Sequence, residues 1–262
     1  MKIKLTILLA VLGMFGNIQA TNNIFCYTYE GKTLEYEVID EELKTCATRS
    51  GYMDPEFITA IYAGNKVSGT VIIPEIVSDG TNEYTVVEIG DFGFSNCALD
   101  TVILPNTIQT IGKMSFYGTR ITDIDFPASL TEIKNAAFSL TYLTEIVLPE
   151  NVKKLGLGVF DGFLNKIRVE APVPPQIDPD TFYENVYKDA VLSVPDESLE
   201  TYRNAPNWNK FVNLESGVEE ISAGTSEELR RYTTDGVQVD ENYKGIVIIQ
   251  YSDGTTAKRF VE

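Results

Sequence analysis

The sequence predicts a mainly β repeat protein, wound as a solenoid of short units. One phenylalanine recurs every 22 residues, at Phe94, Phe116, Phe138 and Phe160, and Phe182 continues the series. An aliphatic side chain lies five residues before each ring, at Ile89, Ile111, Ile133, Leu155 and Ile177. A proline and a following aliphatic keep the same period, at Pro105, Pro127, Pro149, Ile108, Leu130 and Val152. A fixed period in the twenties is typical of solenoids, in which each unit stacks on its neighbours.

The first 20 residues predict a secretory signal peptide. Lys2 and Lys4 form its positive start, the apolar stretch 5–15 is too short to span a bilayer, and cleavage is expected after Ala20. No later stretch is apolar enough for a membrane-spanning helix. We therefore expect an exported chain.

The charge of the chain is strongly acidic. Removing Lys2 and Lys4 from the 21 basic residues leaves 19 against 38 acidic ones, a formal net charge of −19. Such an excess repels nucleic acid and anionic membrane surfaces. It favours an acidic, soluble surface over a specific cation-binding role.

Residues 21–66 fall outside the repeat and predict an N-terminal β cap. Segments 25–29 and 33–39 read as two strands joined by a turn, because β-branched and aromatic residues alternate there. In an oxidising compartment Cys26 and Cys46 could pair, and that possibility stays open. Cys97 follows Phe94 by three residues, where later units have threonine, so we expect a buried core thiol.

The predicted solenoid covers residues 67–195. Its first strand ends at Pro74, and the turn 79–82 predicts a hairpin. In the unit 121–142, the alternation at 124–126 predicts a strand that Pro127 ends. Leu130, Ile133 and Phe138 are expected to point inward, where stacked units would join them into continuous columns.

The C-terminal part departs from the repeat. The fourth unit lacks one residue near Leu164, and 190–195 predicts a last strand. Residues 196–215 predict a C-terminal cap with a helix, in which Leu199 and Tyr202 face inward. Residues 216–228 predict a linker, and 229–262 predict a small β module of two hairpins.

The unit from Ile89 to Pro105 reads Ile-Gly-x-x-x-Phe-x-x-Cys-x-Leu-x-x-Val-x-Leu-Pro. It resembles the BspA-type leucine-rich repeat, a family common among exported proteins of anaerobic gut and oral bacteria, over about residues 67–212. The resemblance implies a leucine-rich-repeat solenoid, secreted or on the cell surface, that adheres to host matrix proteins or other cells. Lys134 departs from the pattern, because Gly112 and Gly156 occupy its position in neighbouring units. The tail is similar to C-terminal modules on exported proteins of the same bacteria.

Several kinds of catalytic site are excluded by composition. The chain has no histidine, which rules out a Ser-His-Asp triad, a Cys-His pair and histidine metal sites. No phosphate-binding glycine loop is present, and 178–180 does not continue into a calcium-binding loop. We expect no enzymatic activity, no cofactor and no metal.

The candidate partner-contact surface is the outward side of the predicted strands. If Leu99, Val102 and Leu104 point inward, the outward residues are Thr101, Ile103, Asp123, Asp125, Glu145, Val147, Lys166 and Arg168. Solenoids use such a sheet face to contact partners, and this column passes from acidic to basic. The alternative is that charge simply solvates a half-exposed sheet.

The predicted function is protein–protein interaction or adhesion at the bacterial surface, with a host matrix protein or another cell-surface protein as partner. One alternative is a carbohydrate-binding surface protein, in which tyrosines such as Tyr27, Tyr29 and Tyr36 stack on sugars; these rings could equally pack inside the N-terminal cap. Another alternative is a structural spacer that displays the C-terminal module.

Overall fold

The computed structural model describes residues 23–49, 67–160, 162–216, 228–232, 238–240, 242–251 and 256–261. The predicted signal peptide and the interior of the predicted linker lie outside these residues. The described part is rich in strands, as expected of a mainly β repeat protein.

The N-terminal region forms a three-stranded sheet. Strands β1 (Ile24–Tyr29) and β2 (Lys32–Asp40) pair antiparallel around a turn at Glu30, which confirms the predicted hairpin. A third strand, β3 (Thr45–Arg49), was not predicted; it pairs antiparallel with β2. On its other side β3 pairs parallel with β6 (Glu83–Ile89), so this sheet continues into the repeat region.

A hairpin precedes the first unit. Strand β5 (Ile76–Ser78) pairs antiparallel with β6, and β4 (Ser68–Ile72) lies just before it. Asp79 shapes the turn, because its Oδ1 accepts hydrogen bonds from the backbone N–H groups of Thr81 and Asn82, both at 2.7 Å. The structure thus confirms the turn predicted at 79–82.

The repeat units pair through two parallel ladders. In the first ladder β6 is followed by β8 (Thr110–Ile111), β9 (Glu132–Ile133) and β11 (Lys154–Leu155), in register. The bridge from Lys154 to Gln176 extends it by one more unit. These strands are only two residues long, so each unit contributes a short step to a sheet that runs across the whole repeat.

The second ladder is interrupted in the middle. Strand β4 pairs with β7 (Ala98–Ile103) at one end. At the other end the order is β10, β12, β13 and β14, all parallel, with bounds Glu145–Leu148, Lys166–Val169, Val191–Val194 and Asn213–Ser216. Strand β14 was not predicted from the sequence.

The prediction of a strand at 124–126 is wrong, because the structure has no strand there. Between the two parts of the ladder, unit 121–126 joins its neighbours through hydrogen bonds from Arg120 N to Leu99 O (2.9 Å) and from Tyr142 N to Ile121 O (3.0 Å). Aspartates at 123 and 125, followed by a proline, disfavour a regular strand. Ile124 stays buried, so the unit keeps its inward side chain without a regular ladder.

The phenylalanines of successive units form a column of stacked rings. Ring centroids are 5.4 Å apart for Phe94–Phe116, 5.2 Å for Phe116–Phe138, 5.6 Å for Phe138–Phe160 and 6.3 Å for Phe160–Phe182. Adjacent ring planes are within 14° of parallel, and every ring is buried. The predicted inward residues Leu130 and Ile133 are also fully buried.

The turns that hold these rings also stack on one another. Phe94 N donates to Ser115 O, Phe116 N to Ala137 O, and Phe138 N to Val159 O, at 2.7–2.9 Å. The same place in each turn has a left-handed backbone, at Phe92, Met114, Ala136 and Gly158. Each of these three ring residues therefore has its backbone hydrogen-bonded to the next unit and its ring stacked on the next ring.

The C-terminal end of the ring column is covered by aromatic side chains. Phe182 packs edge-on against Trp208 and Phe211, with centroids 5.9 Å and 5.4 Å away. Trp208 Nε1 donates to Pro175 O and Tyr202 Oη to Ala171 O, both at 2.7 Å, so these polar atoms are satisfied where they are buried.

Two short helices accompany this cover. Helix α1 (Glu184–Asp189) was not predicted. A 3₁₀ turn (Asp196–Ser198) leads into helix α2 (Leu199–Asn204), which confirms helical structure at the predicted place. Tyr202 is buried and Leu199 half-buried, as the predicted spacing required.

The tail forms a separate four-stranded antiparallel sheet. Its order is β16 (Gln238–Val239), β15 (Glu228–Tyr232), β17 (Gly245–Tyr251) and β18 (Thr256–Val261). The pairs β15–β16 and β17–β18 are the two predicted hairpins.

All three cysteines are free thiols. Cys26 lies exposed on β1 and Cys46 lies buried on β3, with β2 between them. Two strand spacings alone place them at least about 9.6 Å apart, beyond the reach of a disulfide, so the Cys26–Cys46 pairing considered above does not form. Cys97 is buried, and burial raises the pKa of its thiol to about 11, in agreement with the predicted core position.

Substitution of Phe138 tests how much the ring column stabilises the fold, because this ring has a stacked neighbour on each side. Replacing it with alanine should lower the free energy of unfolding by about 3–5 kcal/mol, since the cavity opens inside the column. Urea unfolding followed by circular dichroism measures the loss. Leu43→Ala is the control: that side chain is 73% exposed, and its removal should change stability by less than about 0.5 kcal/mol. Equal losses in the two variants would refute the column as a source of stability.

The thiols should differ in reactivity. Native protein without reductant should react with a thiol reagent at Cys26 alone, because Cys46 and Cys97 are buried and burial raises the pKa of Cys46 to about 12. Denatured protein should titrate three thiols. A titration that finds only one thiol after denaturation would reveal a disulfide and contradict the strand arrangement.

Candidate interaction face

The eight predicted contact residues lie on the outward side of the second ladder. Asp123, Asp125, Glu145, Val147 and Lys166 are exposed, while Thr101, Ile103 and Arg168 are half-buried. Their neighbours along the chain are buried: Val102, Ile124, Ile146 and Ile167. The alternation that the sequence predicted is present, including in the unit that lacks a strand. Their role as partner contacts stays a prediction.

The centre of this surface carries opposite charges side by side. In the parallel pair β10–β12, Glu145 is the register partner of Lys166, and Val147 is the partner of Arg168. Adjacent strands are about 4.8 Å apart, within reach of both long side chains. Nevertheless, among the described residues no ion pair joins Glu145 to Lys166. Both charged groups remain solvated and open to a partner.

Arg168 has one bond partner and one unsatisfied donor. Its Nη2 lies 3.3 Å from Glu170 Oε1, while its Nε is buried without a hydrogen bond to the described residues. One strand further along, Ser193 Oγ donates to Glu215 Oε1 at 2.7 Å. The two basic residues of the predicted set, Lys166 and Arg168, both lie on β12.

Two exposed aromatic side chains lie three residues before β10 and β12. Tyr142 is 60% exposed and Phe163 is 64% exposed. The register of β10 and β12 has an offset of 21 residues, which makes these two positions equivalent. Sequence analysis did not identify these two residues. The one-residue deletion near Leu164 was the available signal, because a repeat offset of 21 instead of 22 residues aligns Phe163 with Tyr142. We call these two residues and the eight predicted ones the interaction face.

The outer side of the first ladder has a different charge arrangement. Lys154 Nζ lies 2.8 Å from Glu132 Oε1 on the adjacent strand. Lys134 Nζ reaches Glu88 Oε1, two units away, also at 2.8 Å, and lies 4.0 Å from Asp91. On this side acids and bases pair within the chain, whereas Glu145 and Lys166 on the interaction face do not.

Lys134 occupies the position that is glycine in the neighbouring units, and it forms an ion pair with Glu88. A side chain at Gly112 would place its Cβ 2.6 Å from the backbone of the preceding unit, so glycine leaves the turn there unobstructed. Lys134 extends along these turns to Glu88. Burial lowers the pKa of Lys134, but the hydrogen bond and charge of Glu88 outweigh it and raise the pKa.

A cleft of about 670 Å³ lies at the N-terminal end of the repeat. Tyr29, Pro74 and Pro105 supply apolar walls, and Glu75 and Asn106 supply polar groups. Tyr36 is excluded from ligand binding, because it is 1% exposed and its ring packs on Phe25 at 5.7 Å. Of the three tyrosines considered from the sequence, only Tyr29 lines this cleft.

No group of three or more acidic, cysteine or histidine side chains is placed to hold a metal ion in the described part of the chain. Within that part, too, every helix is too short or too polar to cross a membrane.

Comparison with known families identifies the repeat. Residues 77–187 match the family model of the BspA type leucine rich repeat region, in 6 copies. Residues 77–187 are a BspA-type leucine-rich repeat region. This assignment confirms the sequence resemblance, and the matched residues include every ring of the column from Phe94 to Phe182. No curated protein matches the chain.

Several solved structures are similar to the chain. A leucine-rich repeat protein from Bacteroides capillosus is 21% identical; the match covers 55% of this chain and 99% of that one, with a TM-score of 0.41. The pneumococcal vaccine antigen PcpA is 18% identical; that match covers 83% of this chain and 54% of PcpA, with a TM-score of 0.43. A leucine rich cell surface protein from Faecalibacterium prausnitzii is 15% identical; that match covers 88% of this chain and 60% of that protein, with a TM-score of 0.35. The chain thus spans little more than half the length of the last two proteins.

The ion pair of Lys134 gives a pH-dependent prediction. Because its pKa is raised in the folded state, its contribution to stability is present below the unfolded-state pKa, about 10.4, and is lost as the pH rises through the folded-state value. Lys134→Met should lower the free energy of unfolding by at most about 1 kcal/mol at neutral pH, since the pair is partly exposed. That difference from the unmodified chain should disappear at strongly alkaline pH.

Lys153→Met is the matched control, because Lys153 is exposed and its ammonium group has no ion-pair partner among the described residues. Urea unfolding across a pH series gives the comparison. A stability difference for Lys134→Met that is constant with pH would contradict the assigned role of the Glu88 pair.

Proposed function

We propose that this chain is an exported, non-enzymatic repeat protein whose interaction face binds a protein partner at the bacterial cell surface. The observation that carries the proposal is the contrast between the two ladders. On the first ladder Lys134 and Lys154 form ion pairs 2.8 Å long with Glu88 and Glu132, whereas Glu145 and Lys166 stand in register without pairing. Exposed, unpaired charges beside exposed aromatic rings are the composition of a recognition surface.

The proposed architecture is a single solenoid over residues 67–195, with caps at 21–66 and 196–215. Support comes from the ring column and from the polar and aromatic contacts that cover Phe182. Strand β3 supports the N-terminal cap, because it continues the first ladder into an antiparallel sheet. A capped solenoid would present the interaction face as a rigid surface, so binding would require little ordering of the protein.

Export is proposed from the N-terminal segment and from the family. A positive start followed by a short apolar stretch is the pattern of a secretory signal. The BspA-type family is the one that the sequence resemblance associates with exported bacterial proteins. Residues 229–262 are proposed to form an independent module beyond the linker, which would connect the repeat to the surface or to another component.

Carbohydrate binding is the second candidate, and the cleft at Tyr29 favours it. An aromatic ring beside a carboxylate and an amide can stack on the apolar face of a sugar and bind its hydroxyl groups. The cleft volume lies within the range of small-ligand sites, which is about 300–1,000 Å³.

A binding screen tests the preferred function. The exported chain should bind at least one protein in a panel of matrix and bacterial surface proteins, as measured by surface plasmon resonance. Combined Lys166→Glu and Arg168→Glu substitutions should weaken that binding at least about tenfold, because they reverse the charge of the basic strand. Lys154→Glu, on the other ladder, should leave the affinity within about twofold.

A glycan array run in parallel distinguishes the second candidate. A sugar ligand whose binding is abolished by Tyr29→Ala, with no protein ligand sensitive to the charge reversals, would overturn the preferred function.

A further inference from the structure

The charges on the interaction face follow an order along the ladder. Three acidic side chains, Asp123, Asp125 and Glu145, occupy two consecutive units, and the next unit carries Lys166 and Arg168. A surface that is negative on one side of a line and positive on the other is complementary to its own copy turned by 180°. The line falls between β10 and β12.

We propose that the partner of the interaction face is a second copy of this chain, bound face to face around a twofold axis that runs along the strands between β10 and β12. This inference rests on the proposed function, because it requires that the face be a protein-contact surface. A rotation about that axis keeps the direction of the strands and reverses their order. Strand β10 of each copy then lies over β12 of the other.

Symmetry creates two equivalent ion pairs at the centre. Glu145 faces Lys166 of the partner subunit, and Lys166 faces Glu145 of the partner subunit, because a twofold interface repeats every contact. Val147, which is 44% exposed, comes opposite the aliphatic stem of Arg168 of the partner subunit. The charges left unpaired within one chain are therefore paired between two.

The exposed aromatic side chains support the same arrangement. Tyr142 and Phe163 occupy equivalent positions of the two central units, three residues before Glu145 and Lys166. Because the strands keep their direction, Tyr142 of one copy lies beside Phe163 of the partner subunit. Aromatic residues are enriched in the buried cores of interfaces, where they supply apolar burial while charges select the orientation.

Charge order also rejects the other face-to-face arrangement. A twofold axis perpendicular to the strands would place each unit on its own copy. Glu145 would then oppose Glu145 of the partner subunit, and Lys166 would oppose Lys166 of the partner subunit, which is repulsive. The acidic net charge of the chain repels the copies at long range, but at physiological salt this repulsion is screened beyond about 8 Å. Contacts at the interface are closer than that and determine the outcome.

Sedimentation analysis of the full chain, purified after export, tests the proposal. The unmodified chain should dimerise reversibly. Either single reversal, Glu145→Lys or Lys166→Glu, should weaken the dimer at least about tenfold, because each places like charges together twice. The double variant E145K/K166E should restore dimerisation, because it exchanges the two signs and keeps the complementarity.

Glu132 and Lys154 provide the matched control. They form the same kind of acid–base register pair on the first ladder, so Glu132→Lys, Lys154→Glu and their combination should leave the dimer unchanged. Tyr142→Ser and Phe163→Ser should each weaken it, since both rings become buried between the copies.

Three results would overturn the inference: a monomeric chain at every concentration, a double variant that fails to recover the dimer, or equal effects from the Glu132 and Lys154 control variants. A monomer that still binds a protein of the panel through Lys166 and Arg168 would leave the proposed function standing. A monomer that binds no protein would remove both.

Discussion

The contact on which the structure depends is the stacking of one phenylalanine ring on the next. The rings from Phe94 to Phe160 are stacked with centroids 5.2–5.6 Å apart. The first three ring residues, Phe94, Phe116 and Phe138, each donate their backbone N–H to the following unit. A unit of 22 residues cannot bury an aromatic ring and several aliphatic side chains by itself. Burial is available only between neighbours, so the stability of every unit depends on the unit before it and the unit after it.

This dependence also determines what the surface can do. Once packing fixes the inward residues, the residues between them must face outward. Equivalent outward residues of adjacent units then lie about one strand spacing, 4.8 Å, apart. Glu132 and Lys154 use that regularity to pair with each other, as does Lys134 with Glu88 across two units. Glu145 and Lys166 have the same register and do not pair. The parallel register of the units thus places charges that are 21 or 22 residues apart in the sequence on adjacent strands.

Prediction from sequence succeeded wherever periodicity carried the information. The column from Phe94 to Phe182, the buried Leu130 and Ile133, and the outward charges all follow from counting residues. It failed where tertiary pairing overrides local pattern: β3 and β14 are strands because a neighbouring strand accepts them, and α1 interrupts the repeat near its end. The sequence also could not decide whether Cys26 pairs with Cys46. That question depends on β3, which carries Cys46 and was not predicted, and on the position of β2 between β1 and β3.

The candidate face was found only in part, for a related reason. Asp123 and Glu145 each lie four residues before the proline of their unit, and counting located them; alternation with the buried Ile167 and Val169 located Lys166 and Arg168. Tyr142 and Phe163 lie where the period slips by one residue, so their equivalence emerges only from the register of β10 with β12. The strand expected at 124–126 failed because two aspartates and a proline disfavour ladder pairing, although the inward Ile124 kept its place.

Residue-resolved hydrogen exchange in the native state tests the central claim most directly. The amides of Phe94, Phe116 and Phe138 each donate to the next unit, so the account predicts strong protection with similar opening free energies, as expected of one cooperative block. Rapid exchange at any one of these three amides, with its neighbours still protected, would show that the units fold independently and would contradict the account.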